Sequence, residues 1–512
     1  MKSFIRNHSL RLPKMLLTES HTPMATSCKH DRAPLFESME NFRQRLVAPF
    51  YCPGHKGGRS LPPELKGSLG IYDLNNLPDT DTLHCPSGPI LEAEELVADA
   101  YGVDRSFLMV GGSSLGNMAA VMAVAGPGDT VLVQRNAHKS VIAGIIHSGA
   151  VPEWLLPQWD ARIGIGHGLS VTAVEHAIRR SPTAKALFML NPTYFGTVAD
   201  FSAIARVCKQ NKLVLIADEA HGPHFRFGQS YPVAAENAGA DIVVQSTHKI
   251  LSGLSQAAVL HLCSDKVEHA KVQAALQALQ TTSPNFAIMA SIDLARRQMM
   301  QEGQSRLASM HALATTARVK IKLIEGLDVL GPEHTLGSES GFYGMDTTKL
   351  LINTTRTGWS GSDAQRFLNR EFGVQPELSG PGYLLCILTL GSIQEDVDHL
   401  LRGLQAMSSQ SPPCHADFSE VNDLAGRVSQ RLPETVMSPR DAFYAEHRTI
   451  PFGHALNRIS GEIITPYPPG IPVIIPGERF NQDTIELLSA VKRSRCPISA
   501  VDASLHSVRV IE

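Results

Sequence analysis

The segment 241-DIVVQSTHKILSG-253 places a lysine, Lys249, shortly after a run of apolar residues that ends at Gln245. The run predicts a buried strand, and the small and apolar residues after it keep the lysine near the strand's carboxyl end. Lysine side chains avoid such places unless they reach solvent, pair with an acid or react. Because burial lowers the pKa of a lysine amine, the segment predicts a nucleophilic lysine at the edge of a sheet.

Short apolar runs alternate with helical stretches on both sides of this segment, from residue 91 to residue 262. The predicted strands are 107-FLMV-110, 130-TVLVQ-134, 185-KALFML-190, 213-LVLIA-217, 241-DIVVQ-245 and 258-AVLHL-262. Helical periodicity marks residues 115–125, 138–149 and 200–211. This alternation predicts an α/β fold with a mostly parallel sheet covered by helices, in which ligands bind at the carboxyl ends of the strands.

The length of 512 residues predicts about three domains at roughly 150 residues each. The composition of 407-MSSQSPPCHADFS-419 is typical of a linker, and five prolines in 465-TPYPPGIPVIIPGE-478 exclude regular helix. The expected parts are an N-terminal extension (1–30), an arm (31–90), a large α/β domain (91–300), a small α+β domain (301–410) and a C-terminal domain (411–512).

Charge and composition exclude several classes of protein. Lys+Arg number 46 and Asp+Glu 49, which gives a net charge of −3 without the basic excess expected of a nucleic-acid or membrane-surface protein. No run approaches the ~18 apolar residues of a membrane span. The eight cysteines form no C-x-x-C pair, so neither a disulfide scaffold nor a metal site is predicted. The low charged fraction, 19%, fits an oligomer.

The first 30 residues contain one acid, Glu19, and several basic residues, but no continuous apolar core of a secretory signal. We therefore expect a cytoplasmic protein. A disordered extension and an organelle transit peptide both remain open for this segment.

Three further polar clusters follow predicted strands: 111-GGSSLGN-117, 134-QRNAHKS-140 and 216-IADEAHG-222. Each one alone also fits a structural role, as a glycine-rich turn, a helix-capping histidine or an acidic loop. Together with Lys249 they supply, in order, a phosphate cradle at a helix N-terminus, a histidine for a ring, an aspartate at a strand end and a lysine amine. Pyridoxal phosphate requires this set of groups.

The motifs resemble those of the Orn/Lys/Arg decarboxylase family, which are fold-type I pyridoxal-phosphate enzymes. The matching segments are 50-FYCPGHKGG-58, 107-FLMVGGSSLGN-117, 135-RNAHKS-140, 246-STHK-249, 281-TTSPNFAIMASID-293, 439-PRDAF-443 and 462-EIITPYPPGIPVIIPGE-478. Gly111 stands where the family usually has Asn, and Ala137 where it has Cys. The resemblance is to the short form, which lacks an N-terminal receiver-like domain. It implies an aspartate-aminotransferase-like large domain, a small domain and a C-terminal decarboxylase domain.

The resemblance implies that Lys249 binds the aldehyde of pyridoxal phosphate, with Lys139 and Lys56 as the competing lysines. It also implies that Asp218 pairs with the ring nitrogen and that His138 stacks on the ring. Lys249 or His248 would return a proton to the substrate. The residues that would bind the phosphate are Ser113, Ser114, Ser246 and His248, with Thr281 or Thr282 from a partner subunit. His221 would lie near the ring. Glu462 is the first candidate for binding the distal cation of the substrate, and Glu377 the second.

The implied reaction removes CO₂ from lysine, arginine or ornithine to give cadaverine, agmatine or putrescine for polyamine biosynthesis, in a homodimer or larger homo-oligomer. Another fold-type I activity, such as an aminotransferase, would need an arginine clamp for a second carboxylate, which the sequence alone does not place. A non-catalytic regulatory relative is also open, but such proteins typically lose the lysine or the aspartate. A dinucleotide-binding fold is disfavoured because 111–117 does not fit G-x-G-x-x-G.

Overall fold

A computed structural model describes residues 48–50, 56, 59–63, 76, 81–413, 418–466, 470–493 and 496–512. The strands in chain order are β1 (Ala48–Phe50), β2 (Arg105–Met109), β3 (Thr130–Gln134), β4 (Val151–Leu155), β5 (Trp159–Asp160), β6 (Ile165–Gly166), β7 (Ala186–Leu190), β8 (Thr197–Val198), β9 (Val214–Asp218), β10 (Ile242–Gln245), β11 (Ala258–Leu262), β12 (Asp328–Val329), β13 (Gly344–Met345), β14 (Lys349–Asn353), β15 (Val374–Pro376), β16 (Leu378–Ser379), β17 (Tyr383–Ile387), β18 (His447–Pro451), β19 (Thr465–Pro466), β20 (Ile498–Ser499) and β21 (Ser507–Ile511).

The helices in chain order are α1 (Pro89–Tyr101), α2 (Gly112–Val124), α3 (Lys139–Ser148), α4 (Val171–Arg180), α5 (Phe201–Gln210), α6 (Ala235–Ala238), α7 (Thr247–Ile250), α8 (His269–Leu279), α9 (Phe286–Lys322), α10 (Gly361–Phe372), α11 (Gln394–Ser408), α12 (Phe418–Gln430), α13 (Pro439–Tyr444) and α14 (Gln482–Arg493). No helix in the described part of the chain is both long enough and apolar enough to span a membrane.

The large sheet has seven strands in the order β2-β11-β10-β9-β7-β3-β4. The pairs among β10, β9, β7, β3 and β4 are parallel, and β11 alone runs against its two neighbours. Six of the seven strands therefore point the same way, and their carboxyl ends share one edge. The α/β class with a mostly parallel sheet is confirmed.

Alternation of side chains along the strands divides the core of this sheet between two faces. Val131 and Val133 of β3 pack with α2, α3 and α8 on one face, whereas Leu132 packs with α4 and α5 on the other. Successive strand residues point to opposite sides, so a strand buried on both faces must be apolar throughout. This explains why the predicted strands are continuous apolar runs rather than alternating ones.

A second, four-stranded antiparallel sheet follows in the order β12-β14-β17-β16. Helices α9, α10 and α11 pack on it, and its core includes Leu351, Leu385, Leu368 and Leu400, all fully buried. This is the smaller α+β unit that the sequence indicates after residue 300. The boundaries predicted from the sequence for the individual domains stay predictions.

The C-terminal residues build a separate core, in which α12 and α14 pack beside the antiparallel pair β18–β21. A buried ion pair attaches this region to the large sheet: Arg135 Nη2 lies 3.1 Å from Glu478 Oε2. Arg135 Nη1 also donates to the carbonyl of Pro472 at 2.8 Å. Pro472 and Glu478, from the end of the proline-rich stretch, thus lie against Arg135 at the end of β3, on the edge of the sheet where the polar clusters lie.

Candidate active site

Two neighbouring parallel strands deliver the central residues of the site. Asp218 is the last residue of β9 and pairs in register with Val244 of β10. Ser246 follows β10 directly, and Lys249 lies in the short helix α7 that comes next. The sequence indicated a lysine at the strand end. The structure places it one helical turn further on and half-buried rather than fully buried.

Asp218 is 3% exposed, and two hydrogen bonds orient its carboxylate. Oδ2 accepts from Asn117 Nδ2 at 2.8 Å, and Oδ1 accepts from the backbone N–H of Ala220 at 3.1 Å. A carboxylate has about four acceptor positions, so these two bonds fix the group and leave it able to accept another proton donor. Asn117 also donates to Ser140 Oγ at 3.1 Å, which links Asp218 to helix α3.

His138 caps helix α3 and lies beside this aspartate. Its Nδ1 accepts from the backbone N–H of Ser140 at 3.2 Å and lies 2.8 Å from Ser140 Oγ. Burial first, and then the neighbouring Lys249 and Lys139, lower the pKa of His138 to about 4 against the opposing effect of Asp218. The imidazole is therefore neutral at pH 7, as suits a flat ring that contacts another ring.

Lys249 meets His221 directly, because its Nζ lies 2.8 Å from His221 Nε2. On its other side, His221 Nδ1 lies 3.1 Å from the Nζ of Lys349, the first residue of β14. Burial, followed by the two neighbouring lysines, holds the pKa of His221 well below its ordinary value. The histidine whose role the sequence left least certain thus bridges two lysines in its neutral form.

The ring of Tyr194 lies beside both His221 and Lys249. Its ring centre lies 4.5 Å from that of His221 and 5.9 Å from Lys249 Nζ. The phenol O–H donates to Glu377 Oε1 at 2.6 Å. Tyr194 therefore links Glu377 to the cluster around Lys249.

The residues predicted to bind phosphate converge on the N-terminus of α2. Ser246 Oγ donates to Ser113 Oγ at 2.8 Å, so β10 and α2 meet at these two hydroxyls. Helix α2 begins at Gly112, which has a φ of 71°, and its cap residue Gly111 has no side chain to occupy the first-turn N–H groups. Such a helix start binds anions through its N–H groups and its dipole. His248 lies nearby in α7, where its Nδ1 donates to the carbonyl of Ala257 at 2.9 Å.

The structure does not bring every predicted residue into this cluster. Thr281 and Thr282 are exposed; their carbonyls contact His84 Nε2 and Asn76 Nδ2, and the Thr281 hydroxyl accepts from the N–H of Ser283. Ser114 is half-buried in the first turn of α2, beside Ser113.

Glu462, the first candidate for the substrate's distal cation, is engaged elsewhere. Its carboxylate is buried in the C-terminal region and accepts from the backbone N–H groups of Val501 at 2.7 Å and Arg509 at 2.6 Å. These bonds hold the strand pair β18–β21 to the segment before the prolines. Within this chain both oxygens of the Glu462 carboxylate therefore accept from backbone N–H groups, whereas Glu377 is hydrogen-bonded to Tyr194 beside Lys249.

Sequence reasoning missed four residues of the cluster: Asn117, Ser140, Tyr194 and Lys349. Asn117 and Ser140 end two of the polar clusters, so their position carried a signal. Lys349 and Tyr194 carried none, because each stands 55 or more residues from Lys249 in a stretch without a motif. Only the packing of the second sheet against the first brings Lys349 to the site.

Comparison with known proteins decides the family. The family model for the major domain of Orn/Lys/Arg decarboxylases matches residues 33–396, and the model for their C-terminal domain matches residues 422–499. The chain belongs to the Orn/Lys/Arg decarboxylase family. It is 36% identical over 484 residues to an arginine decarboxylase of Bacillus subtilis, covering 94% of this chain and 98% of that protein.

Solved structures show the same architecture in this family and outside it. The constitutive lysine decarboxylase of Escherichia coli superposes with a TM-score of 0.74 at 22% identity, covering 94% of this chain and 82% of the other. An alanine–glyoxylate aminotransferase of Nostoc superposes with a TM-score of 0.55 at 15% identity, covering 71% and 96%. The Orn/Lys/Arg decarboxylase described here thus has the fold-type I architecture of pyridoxal-phosphate enzymes.

Proposed function

We propose that this protein is a pyridoxal-phosphate-dependent decarboxylase of basic amino acids, with arginine as its main substrate. The observation that carries the proposal is the convergence of Lys249, Asp218 and His138 at the carboxyl ends of β10, β9 and β3. The family assignment supports the reaction class. The relative named arginine decarboxylase, which matches almost the whole chain, supports arginine.

The residues present fit the cofactor. An acceptor-only carboxylate, Asp218, suits a protonated ring nitrogen, and the neutral imidazole of His138 suits an aromatic face. The hydroxyls of Ser113 and Ser246 at the start of α2 suit the phosphate. Lys249 supplies the amine that attaches the aldehyde, and Ser114 and His248 lie beside the others.

When bound, pyridoxal phosphate would supply an electron sink for cleavage of the bond to the substrate carboxylate. Asp218 would hold a proton on the ring nitrogen, which makes the ring a better sink. Lys249 Nζ, or the imidazole of His248, delivers the proton that replaces CO₂ on the substrate α-carbon. Because His248 Nδ1 donates to the Ala257 carbonyl at 2.9 Å, its Nε2 is the nitrogen able to take up and pass on a proton.

Glu377 is our choice for the group that binds the distal cation of the substrate. It is half-buried, and Tyr194, which contacts His221, fixes its orientation at 2.6 Å. A carboxylate in this place neutralises a guanidinium or ammonium group at one end of a bound substrate while Lys249 meets the other. We also propose that Thr281 and Thr282 face a second copy of the chain in a cytoplasmic homodimer, which their exposure permits.

Product analysis tests the proposed reaction. With pyridoxal phosphate added, the purified protein is expected to release CO₂ from arginine, lysine or ornithine, and to convert arginine to agmatine fastest. Each amino acid is supplied separately, and the amine and CO₂ are measured together. Transfer of the amino group to a 2-oxo acid without release of CO₂ would show an aminotransferase instead.

The substitution Glu377→Gln is expected to lower kcat/KM for arginine on the order of 10²-fold, mainly through KM. The loss of a charge-assisted hydrogen bond costs about 2–3 kcal/mol, and each 1.4 kcal/mol is a factor of ten. Steady-state kinetics on purified variants measure this effect.

The matched control is Glu462→Gln, which removes the same charge from the other candidate. It leaves one of two buried backbone N–H groups without its acceptor, so we expect a lower Tm and a nearly unchanged KM. A raised KM in Glu462→Gln with normal kinetics in Glu377→Gln would restore the original order of the candidates.

A further inference from the structure

Lys349 is fully buried, a state that lysine adopts only when its charge is paired or its amine is used. It begins β14 after a tight turn, in which its N–H donates to the carbonyl of Asp346 at 3.2 Å. Its stem lies against Gly196, where a Cβ would come within 2.6 Å of Lys349 Cγ. The packing therefore holds the Lys349 side chain in one conformation, with its Nζ next to His221.

The side chains of Lys349, His221 and Lys249 lie in a line, and their hydrogen-bond donors and acceptors limit which of the two lysines can be protonated. A neutral imidazole has one N–H donor and one acceptor nitrogen, and an ammonium group can only donate. His221 contacts one lysine through each nitrogen, at 3.1 Å and 2.8 Å. It can accept from one ammonium only, so the other lysine must accept from the imidazole N–H, and only a neutral amine can do so.

The surroundings decide which lysine carries the charge. Asp346, also fully buried, precedes Lys349 by three residues in the same turn, and its other neighbour is His224 at 3.4 Å. Although burial opposes ionisation, the charges of His224 and Lys349 lower the pKa of Asp346 to about 2. Asp346 lies in the same buried turn as Lys349, and its negative charge favours the protonated form of this lysine, so we assign the proton to Lys349 rather than to Lys249.

Hydrogen bonds hold the turn that carries Asp346 and Lys349. The guanidinium of Arg318 in α9 donates to the carbonyl of Lys349 at 2.6 Å and to that of Thr347 at 2.8 Å. Asp346 Oδ1 accepts from the N–H and the hydroxyl of Thr348. The second sheet therefore presents Lys349 to the first on a rigid support.

We propose that Lys349 is a positioning residue: its ammonium group donates to His221 Nδ1 and holds the imidazole as the Nε2–H tautomer, which donates to Lys249 Nζ and keeps that amine neutral. This inference rests on the proposed function, in which Lys249 attaches the cofactor. The neutral amine is the nucleophile that this attachment requires. Lys349 contributes through His221 and needs no contact with substrate or cofactor.

The test measures the reactivity of Lys249 in the full chain after removal of cofactor. The protein is labelled with acetic anhydride over a range of pH, and the modified Lys249 peptide is quantified by mass spectrometry. In Lys349→Met the labelling rate near pH 7 is expected to fall about tenfold or more, since each unit of pKa shift is a factor of ten. At high pH, where the amine is neutral in either protein, the two rates are expected to converge.

The charged and titratable groups that face the line in the described part of the chain include His138, His248, Tyr194, Asp346 and His224, and all of them remain in the variant. The matched control is Lys266→Met. It also removes a lysine paired with a buried aspartate, Asp241 at 3.0 Å, but at the opposite end of the sheet. Its labelling profile is expected to match that of the unmodified protein. A profile of Lys349→Met that coincides with this control would overturn the proposal.

A second measurement needs no variant at position 349, in case that substitution prevents folding. Nitrogen-15 NMR of histidine-labelled protein, with His221→Gln used for assignment, is expected to show the Nε2–H tautomer. The Nδ1–H tautomer or an imidazolium at neutral pH would overturn the proposal. Neither measurement uses substrate, so a protein that shows the tautomer and the shift but releases no CO₂ would refute only the proposed function.

Discussion

Replacing Lys249 with alanine is expected to abolish covalent attachment of pyridoxal phosphate and to lower decarboxylation on the order of 10⁴-fold or more, the scale on which loss of a nucleophile acts in other enzymes. The Lys249 amine is within 2.8 Å of His221 Nε2 and faces the carboxyl ends of the strands that carry Asp218. The second lysine of the described cluster, Lys349, is held behind His221 and does not face that edge. Absorbance of the bound cofactor, borohydride trapping with peptide mapping, and CO₂ release measure the effect.

Lys139 provides the matched control. It is the lysine that competes most closely for the same role, because it starts helix α3 next to His138 and its charge reaches that imidazole. Lys139→Ala is expected to keep the attached cofactor. A Lys249→Ala protein that still carries a borohydride-trapped cofactor would mean that the attachment site is elsewhere, and peptide mapping would then identify it.

The large sheet could be read from the sequence because its strands are buried on both faces. Each run from 107–110 to 258–262 is mainly apolar without polar residues alternating along it, and the structure has a strand at each of them within two residues. Strand β4, Val151–Leu155, was missed because it contains a proline and a glutamate. It is the edge strand of the sheet, where proline is tolerated.

The residues of the candidate site also differ in how well the sequence predicts them. Asp218, Ser246 and His138 stand directly at strand or helix ends, so the topology alone brings them together at one edge. Lys349 and Glu377 come from the second sheet, and no local pattern says how that sheet docks on the first. The sequence placed Glu462 before Glu377 as the substrate carboxylate and showed nothing of its contacts, because the backbone N–H groups that bind Glu462 come from residues 501 and 509, well away in the chain.

The substitution Asp218→Asn is expected to keep the cofactor attached and to lower turnover about 10²- to 10³-fold. An amide is close to the carboxylate in size, so Lys249 and the serines at α2 still hold the cofactor, but a neutral group no longer stabilises a proton on the ring nitrogen. Loss of a group that holds a proton in the reacting system typically costs 10²- to 10⁴-fold in rate. Cofactor content by absorbance and turnover by CO₂ release separate the two effects.

Glu219, the next residue along the chain, is the control that isolates charge at Asp218 from damage to the strand end. It is fully buried and accepts from Gln245 Nε2 at 2.7 Å and from the N–H of Ala235 at 2.9 Å. Burial, and then the neighbouring Glu236, raise the pKa of this carboxyl group well above its ordinary value. Glu219→Gln makes the same change of group one residue along the chain, away from the proposed ring nitrogen, and is expected to change turnover only a few-fold. Equal losses in both variants would place the effect in the packing of β9 and not in the proton that Asp218 holds.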